Sequence, residues 1–72
     1  MSIQVLAPMV GKVVSVLVEV GSEVAEDDAV IMIEAMKVEM PVGAPADGTV
    51  KAIHVQPGDT VDGDQLLMEI DE

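Results

Sequence analysis

The chain has 72 residues, half of them hydrophobic, with no cysteine, no aromatic residue and a formal net charge of −11. This length corresponds to one small domain over residues 1–72, and the missing cysteines exclude disulfides and thiolate metal sites. One histidine and three lysines argue against a metal cage and against nucleic-acid binding, and no apolar run approaches the roughly 20 residues that cross a membrane.

An internal repeat organises the chain. Shifting the sequence by 37 residues superposes nine identical pairs. The pairs are Ala7/Ala44, Pro8/Pro45, Gly11/Gly48, Val13/Val50, Val18/Val55, Gly21/Gly58, Val24/Val61, Asp27/Asp64 and Ile33/Ile70. The fourteen valines favour strands over helices. The sequence therefore predicts two copies of one β-rich unit.

The first half of each copy is predicted to be extended. Ala7-Pro8 opens copy one in extended conformation, because the residue before a proline is excluded from the helical region. Gly11 marks a turn or a close backbone approach, and a strand follows over Lys12–Val18. Within that strand the apolar positions step from Val13 to Val16, which breaks strict alternation and predicts a β-bulge or a sharp twist.

The second half of copy one is predicted to contain a turn at Gly21-Ser22, a short strand at Val24, an acidic turn at Asp27-Asp28 and a strand over Ala29–Ala35. Copy two repeats these elements: strand Thr49–Val55, turn Gly58-Asp59, short strand at Val61, turn Gly63-Asp64 and strand Gln65–Asp71. No window carries an uninterrupted apolar stripe at helical spacing. We therefore expect an all-β fold, a flattened barrel or sandwich of two four-stranded sheets related by a pseudo-twofold axis (a barrel-sandwich hybrid), with one shared aliphatic core.

The connection between the copies predicts a two-residue hairpin with Met36-Lys37 at its tip. Its apolar cross-strand pairs would share one face and specify the register, with Glu34 opposite Glu39 on the other face. The apolar pairs are Ala35/Val38, Ile33/Met40 and Ile31/Val42. Such tips need positive φ at both central residues and favour Asn-Gly or Asp-Gly. A broken local rule marks functional sites, but the turn alone leaves open an ordinary exposed lysine beside a surface methionine.

The run Glu34-Ala35-Met36-Lys37-Val38-Glu39 resembles the biotin-attachment motif of biotinyl (biotin carboxyl carrier) domains, Ala-Met-Lys-Met or a close variant. The resemblance extends from Ala7 to about Ile70. It implies covalent biotin on Lys37, at a hairpin between the fourth and fifth strands, with Ala35, Met36 and Val38 as flanking recognition residues. Val38 departs from the family, which most often has methionine there, but it remains apolar.

The resemblance also implies a carrier function. Biotin on Lys37 would shuttle a carboxyl group between biotin carboxylase and carboxyltransferase subunits, after attachment by a biotin protein ligase. Because a lysine amine in water is protonated at neutral pH, the ligase is expected to activate it, and the domain itself is expected to perform no catalysis. The acceptor stays open among acetyl-CoA, propionyl-CoA, pyruvate and other acids. We expect a cytoplasmic location, without direct membrane contact.

Two other functions remain to be weighed. A lipoyl carrier domain shares the fold and also uses a hairpin lysine, but lipoyl domains usually place an acidic residue before the lysine, where this chain has Met36. An unmodified β-scaffold acting as an assembly module is the alternative from a different class. An autonomous enzyme has the least support, because no nucleophile–base pair or metal constellation can be assembled from these residues.

Overall fold

The computed structural model describes residues 2–72, which form eight β-strands and no helix. The strands are β1 Ser2–Leu6, β2 Gly11–Val16, β3 Glu23–Val24, β4 Ala29–Ala35, β5 Val38–Gly43, β6 Gly48–Ile53, β7 Thr60–Val61 and β8 Leu66–Asp71. The all-β prediction is therefore confirmed. Over the described residues, no helical segment meets the length and apolarity needed to cross a membrane.

The strands form two four-stranded antiparallel sheets, ordered β1-β8-β6-β3 and β5-β4-β2-β7. A shift of 37 residues converts the strand order of each sheet into that of the other. The sequence repeat therefore corresponds to a pseudo-twofold axis of the structure. Backbone hydrogen bonds outside the strands obey it as well. Leu17 N–H donates to the Val30 carbonyl at 2.9 Å, and His54 N–H, 37 residues later, donates to the Leu67 carbonyl at 2.9 Å.

One aliphatic core lies between the sheets. Its largest fully buried side chains are Ile31, Ile33, Leu67, Met68, Ile70, Val13, Val30, Val50 and Val61. No polar side chain is buried among residues 2–72. Apolar burial, at roughly 25 cal/mol per Å², is therefore the main stabilising contribution available to this domain.

The repeat unit begins earlier than predicted. The structure places a strand before each Ala-Pro pair: β1 before Ala7 and β5 before Ala44, while Pro8 and Pro45 lie in bends. β5 therefore has its counterpart at the start of the chain. A tenth identity, Val5/Val42, supports this pairing, and both side chains are buried.

The strand boundaries agree in part with prediction. β4 matches Ala29–Ala35, whereas β2 and β6 each begin one residue earlier and end two residues earlier than predicted, and β8 begins at Leu66 rather than Gln65. The predicted bulges are present, with register shifts between Val13 and Ser15 and between Val50 and Ala52. Beyond each bulge the chain soon leaves the sheet, which explains the early strand ends.

The turns also differ slightly from prediction. Gly21 and Gly58 adopt positive φ values of 95° and 98° as the second turn residue, so these turns lie one residue earlier than predicted. The first acidic turn is centred on Glu26-Asp27, also one residue early, and the second on Gly63-Asp64 as predicted. The left-handed residue in these acidic turns is Asp27 or Asp64, a residue type that tolerates this conformation.

Candidate functional site

The β4–β5 hairpin carries Met36 and Lys37 at a two-residue tip. Ala35 pairs with Val38, Ile33 with Met40 and Ile31 with Val42, as predicted. Glu34 lies directly opposite Glu39. The apolar pattern of the two strands therefore specifies the register that places this lysine at the turn.

Both tip residues have left-handed backbone conformations. The φ angle is 53° at Met36 and 65° at Lys37, the values of a type I′ turn. A residue without glycine's freedom costs about 1–3 kcal/mol when it is held in such a region. The hairpin tolerates this strain because the register of its two strands is fixed by the core below it.

The strain at the tip is measurable by substitution. Met36→Asn is expected to raise the free energy of unfolding by about 0.5–1 kcal/mol, because asparagine adopts positive φ more readily than methionine. Urea denaturation measures this change. Val38→Asn is the matched control, since Val38 lies in a strand without positive φ and should gain nothing. An equal gain in both variants would contradict a strained tip.

The residues around Lys37 differ in exposure. Met36 is 88% exposed and Val38 is 58% exposed, whereas Ala35 is only 3% exposed. The apolar face of the hairpin is therefore not buried at Val38, because this residue lies at the end of the hairpin, beyond the cover of the core. Lys37 is exposed, and within residues 2–72 its ammonium has no ion pair or hydrogen-bond partner. The amine is open to an approaching molecule.

A row of charged residues crosses the sheet behind the tip. Lys12 pairs with Glu34 across β2 and β4, and Glu34 pairs with Glu39 across β4 and β5. All three side chains are exposed. Sequence reasoning found the two glutamates but missed Lys12, because the β2–β4 pairing joins residues distant in sequence. The row places one positive charge beside two negative ones next to the lysine-bearing turn.

The other two lysines lie along strands rather than at turns. Lys12 is in β2, and Lys51 is in β6, where its ammonium donates to the Ser2 hydroxyl at 2.8 Å. The one histidine, His54, pairs with Glu69 at 2.8 Å. In the described part of the chain, no group of three His, Asp or Glu side chains is arranged to hold a metal ion. Lys37 is thus the only one of the three lysines presented at a hairpin tip.

Comparison with known proteins identifies relatives of this domain. The model of the family described as "Biotin-requiring enzyme" matches residues 3–70. Human mitochondrial pyruvate carboxylase is 41% identical over 68 residues, which cover 94% of this chain but 6% of that enzyme. The chain thus spans a small part of the curated relatives it matches.

Two solved structures have the same fold. The urea carboxylase of Kluyveromyces lactis superposes with a TM-score of 0.93 at 35% identity, over 99% of this chain and 6% of that one. The lipoyl domain of the 2-oxoglutarate dehydrogenase complex from Azotobacter vinelandii superposes with a TM-score of 0.74 at 36% identity, over 88% of this chain and 80% of that one.

Proposed function

The chain belongs to the family of biotin-requiring enzyme domains, and from this premise we propose that it carries covalently attached biotin on Lys37. Three features of the tip support the assignment: an exposed primary amine, a rigid two-residue turn, and the flanking Met36. Biotin joined to this amine through an amide bond would stand away from the protein surface. In this arrangement Lys37 Nζ attacks the carboxyl carbon of a biotinyl adenylate supplied by the ligase. The bond from that carbon to the adenylate oxygen breaks, AMP leaves, and Nζ loses a proton as the amide forms.

Attached biotin supplies a ring that accepts and releases a carboxyl group, so the domain acts as a biotin carboxyl carrier. The chain's own contribution is presentation, because a rigid scaffold holds the attachment point at its extremity. Biotin protein ligase is the proposed modifying partner, and biotin carboxylase and carboxyltransferase units are the proposed exchange partners. The carrier is proposed to be non-catalytic and cytoplasmic.

The observation that carries this proposal is the position of Met36-Lys37 at the tip, inside a family match covering nearly the whole chain. The lipoyl alternative rests on the same lysine and on the likeness to a lipoyl domain. It is less well supported, because the human relative pyruvate carboxylase matches over 94% of this chain and Met36 stands where lipoyl domains usually have an acidic residue.

The proposal is tested by expressing the chain separately with a biotin protein ligase and with a lipoate ligase. We expect the intact mass to rise by one biotinyl group with the first enzyme, and avidin to capture the product. With equal amounts of the two ligases and both acids present, biotinylated protein should predominate. Preferential lipoylation would support the alternative function, and an unchanged mass with both ligases would support an unmodified scaffold.

A further inference from the structure

The loop between β1 and β2 exposes two large apolar side chains, Met9 at 37% and Val10 at 63%. The next residue, Gly11, lies against the end of β4. A Cβ built on Gly11 would be 2.7 Å from the Glu34 carbonyl oxygen and 3.5 Å from the Ala35 Cβ. The loop is therefore adjacent to the residues that lead into the tip.

The strand register gives the same placement. Lys12 pairs with Glu34, and antiparallel pairing advances the two chains in opposite directions. One further step in this register puts Gly11 opposite Ala35, in agreement with the close approach of these two residues, and Val10 is the next residue of the loop. We call Met9, Val10, Met36 and Val38 the tip patch.

The internal repeat provides a control for the apolar exposure. Outside the hairpin tip, each large apolar side chain that is exposed within residues 2–72 belongs to copy one. The positions 37 residues later carry small, polar, charged or proline residues. The pairs are Leu6/Gly43, Met9/Ala46, Val10/Asp47, Val14/Lys51, Leu17/His54 and Val20/Pro57. The shared backbone plan therefore accepts other residues at these positions, and the fold does not require Met9 or Val10 to be apolar.

Val10 stands where a polar residue would help the fold. Its counterpart Asp47 accepts a hydrogen bond through Oδ1 from Glu26 N–H at 2.7 Å, which supports the turn beside it. The equivalent amide beside Val10 is that of Gly63, and valine cannot accept its proton. Within residues 2–72 the Gly63 amide has no other hydrogen-bond acceptor. A residue that lowers local stability in an otherwise consistent sequence is typical of a functional surface.

We propose that the tip patch is a docking surface for the biotin ligase that modifies Lys37, an inference that rests on the proposed function. A ligase must reach the bare amine, so its active site comes within one lysine side chain of the tip and covers the adjacent surface. The later exchange enzymes meet a lysine lengthened by its biotinyl arm and can remain farther away.

Charge complements this apolar contact. Glu34 and Glu39 lie just behind the tip and outnumber Lys12, which pairs with Glu34. Asp64 lies beside the loop, its N–H donating to the Ala7 carbonyl at 2.8 Å. The matching ligase surface is an apolar depression with a rim of Lys or Arg side chains. Such complementarity accelerates encounter and weakens as salt is added.

Val10→Asp tests the proposal, because it installs the residue found at the counterpart position. We expect the thermal stability to be unchanged or raised, while the KM of the ligase for this protein rises about tenfold with kcat unchanged, the pattern of lost uniform binding. Met9→Ala, copying Ala46, should raise KM by a smaller factor. Leu17→His, copying His54, is the matched control at the far end of β2 and should leave KM unchanged.

An unchanged KM in both loop variants, with the fold intact, would overturn the docking surface. If ligation were normal but carboxyl transfer by the exchange enzymes were slower, those enzymes would be the occupant and the ligase assignment would be wrong. A change in self-association would instead indicate a second copy of the chain. Failure of the proposed function is distinguishable, because the wild-type chain itself would then not be biotinylated.

Discussion

Lys37→Arg is expected to abolish biotinylation completely while leaving the fold unchanged. Arginine retains the positive charge and a comparable length, but its guanidinium stays protonated and cannot act as the amine nucleophile. Lys37 is exposed and unpaired within residues 2–72, so nothing in the packing should oppose the larger head group. Intact mass spectrometry and avidin capture after co-expression with the ligase measure the result.

Lys12→Arg and Lys51→Arg are the matched controls, because they make the same chemical change at the other two lysines. Both residues lie within strands, and both variants should be fully biotinylated. Thermal unfolding of all three variants should agree closely with that of the wild type, since exposed Lys-to-Arg changes alter stability little. Avidin capture of the Lys37→Arg protein would show that the attachment point lies elsewhere in the chain.

The tip shows why an unfavourable turn suits an attachment point. A flexible loop would leave the lysine in many positions, whereas the two-residue turn fixes its backbone at φ 65° on strands anchored in the core. An asparagine or glycine at Met36 would relieve the backbone strain. It would also remove an apolar side chain that is 88% exposed and free to contact a partner. The proposed recognition role of Met36 thus accounts for a residue that stability alone would not favour.

Much of this hairpin was predictable from the sequence. Ile31, Ile33 and Ala35 stand at alternate positions of β4 and pair with apolar residues of β5, and a slip of one residue would turn the whole apolar set outward. This strong constraint explains why the register and the bounds of β4 agree with the structure. The 37-residue repeat similarly predicted both bulges, because the same break in alternation occurs at Val13 and Val50.

Features that depend on contacts between residues distant in sequence were harder to predict. β1 was not recognised as the counterpart of β5, since Val5/Val42 is their only identical pair. The sequence pattern put Val38 on the apolar face of the hairpin, but its exposure depends on how far the core extends beneath the hairpin. Lys12 joins the charged row only through the β2–β4 pairing, which no local pattern specifies.

Gly48→Ala is expected to lower the free energy of unfolding by about 3 kcal/mol, a large share of the stability of a small domain. A Cβ at this position would lie 2.5 Å from the Asp71 carbonyl oxygen and 2.6 Å from the Ile70 Cγ2 atom. The first contact is with backbone, and Ile70 is fully buried, so neither neighbour can move cheaply. Urea denaturation, followed by far-UV circular dichroism, measures the loss.

Gly63→Ala is the control, because the nearest atom to its added Cβ, the Met9 α-carbon, is 3.7 Å away and Gly63 has no positive φ. Its stability should change by less than about 0.5 kcal/mol. Equal stability of the two variants would show that β6 and β8 can separate without loss, contrary to their close approach.

Gly11→Ala extends the test to the equivalent position in the other sheet. Its added Cβ would meet the Glu34 carbonyl oxygen at 2.7 Å and the Ala35 Cβ at an ordinary 3.5 Å, so the loss of stability should be smaller than at Gly48. The clash acts on the end of β4, directly before the tip, and should therefore also lower the rate of biotinylation in protein that remains folded. The two glycines, identical in the repeat, would then differ in effect because only one of them supports the lysine-bearing hairpin.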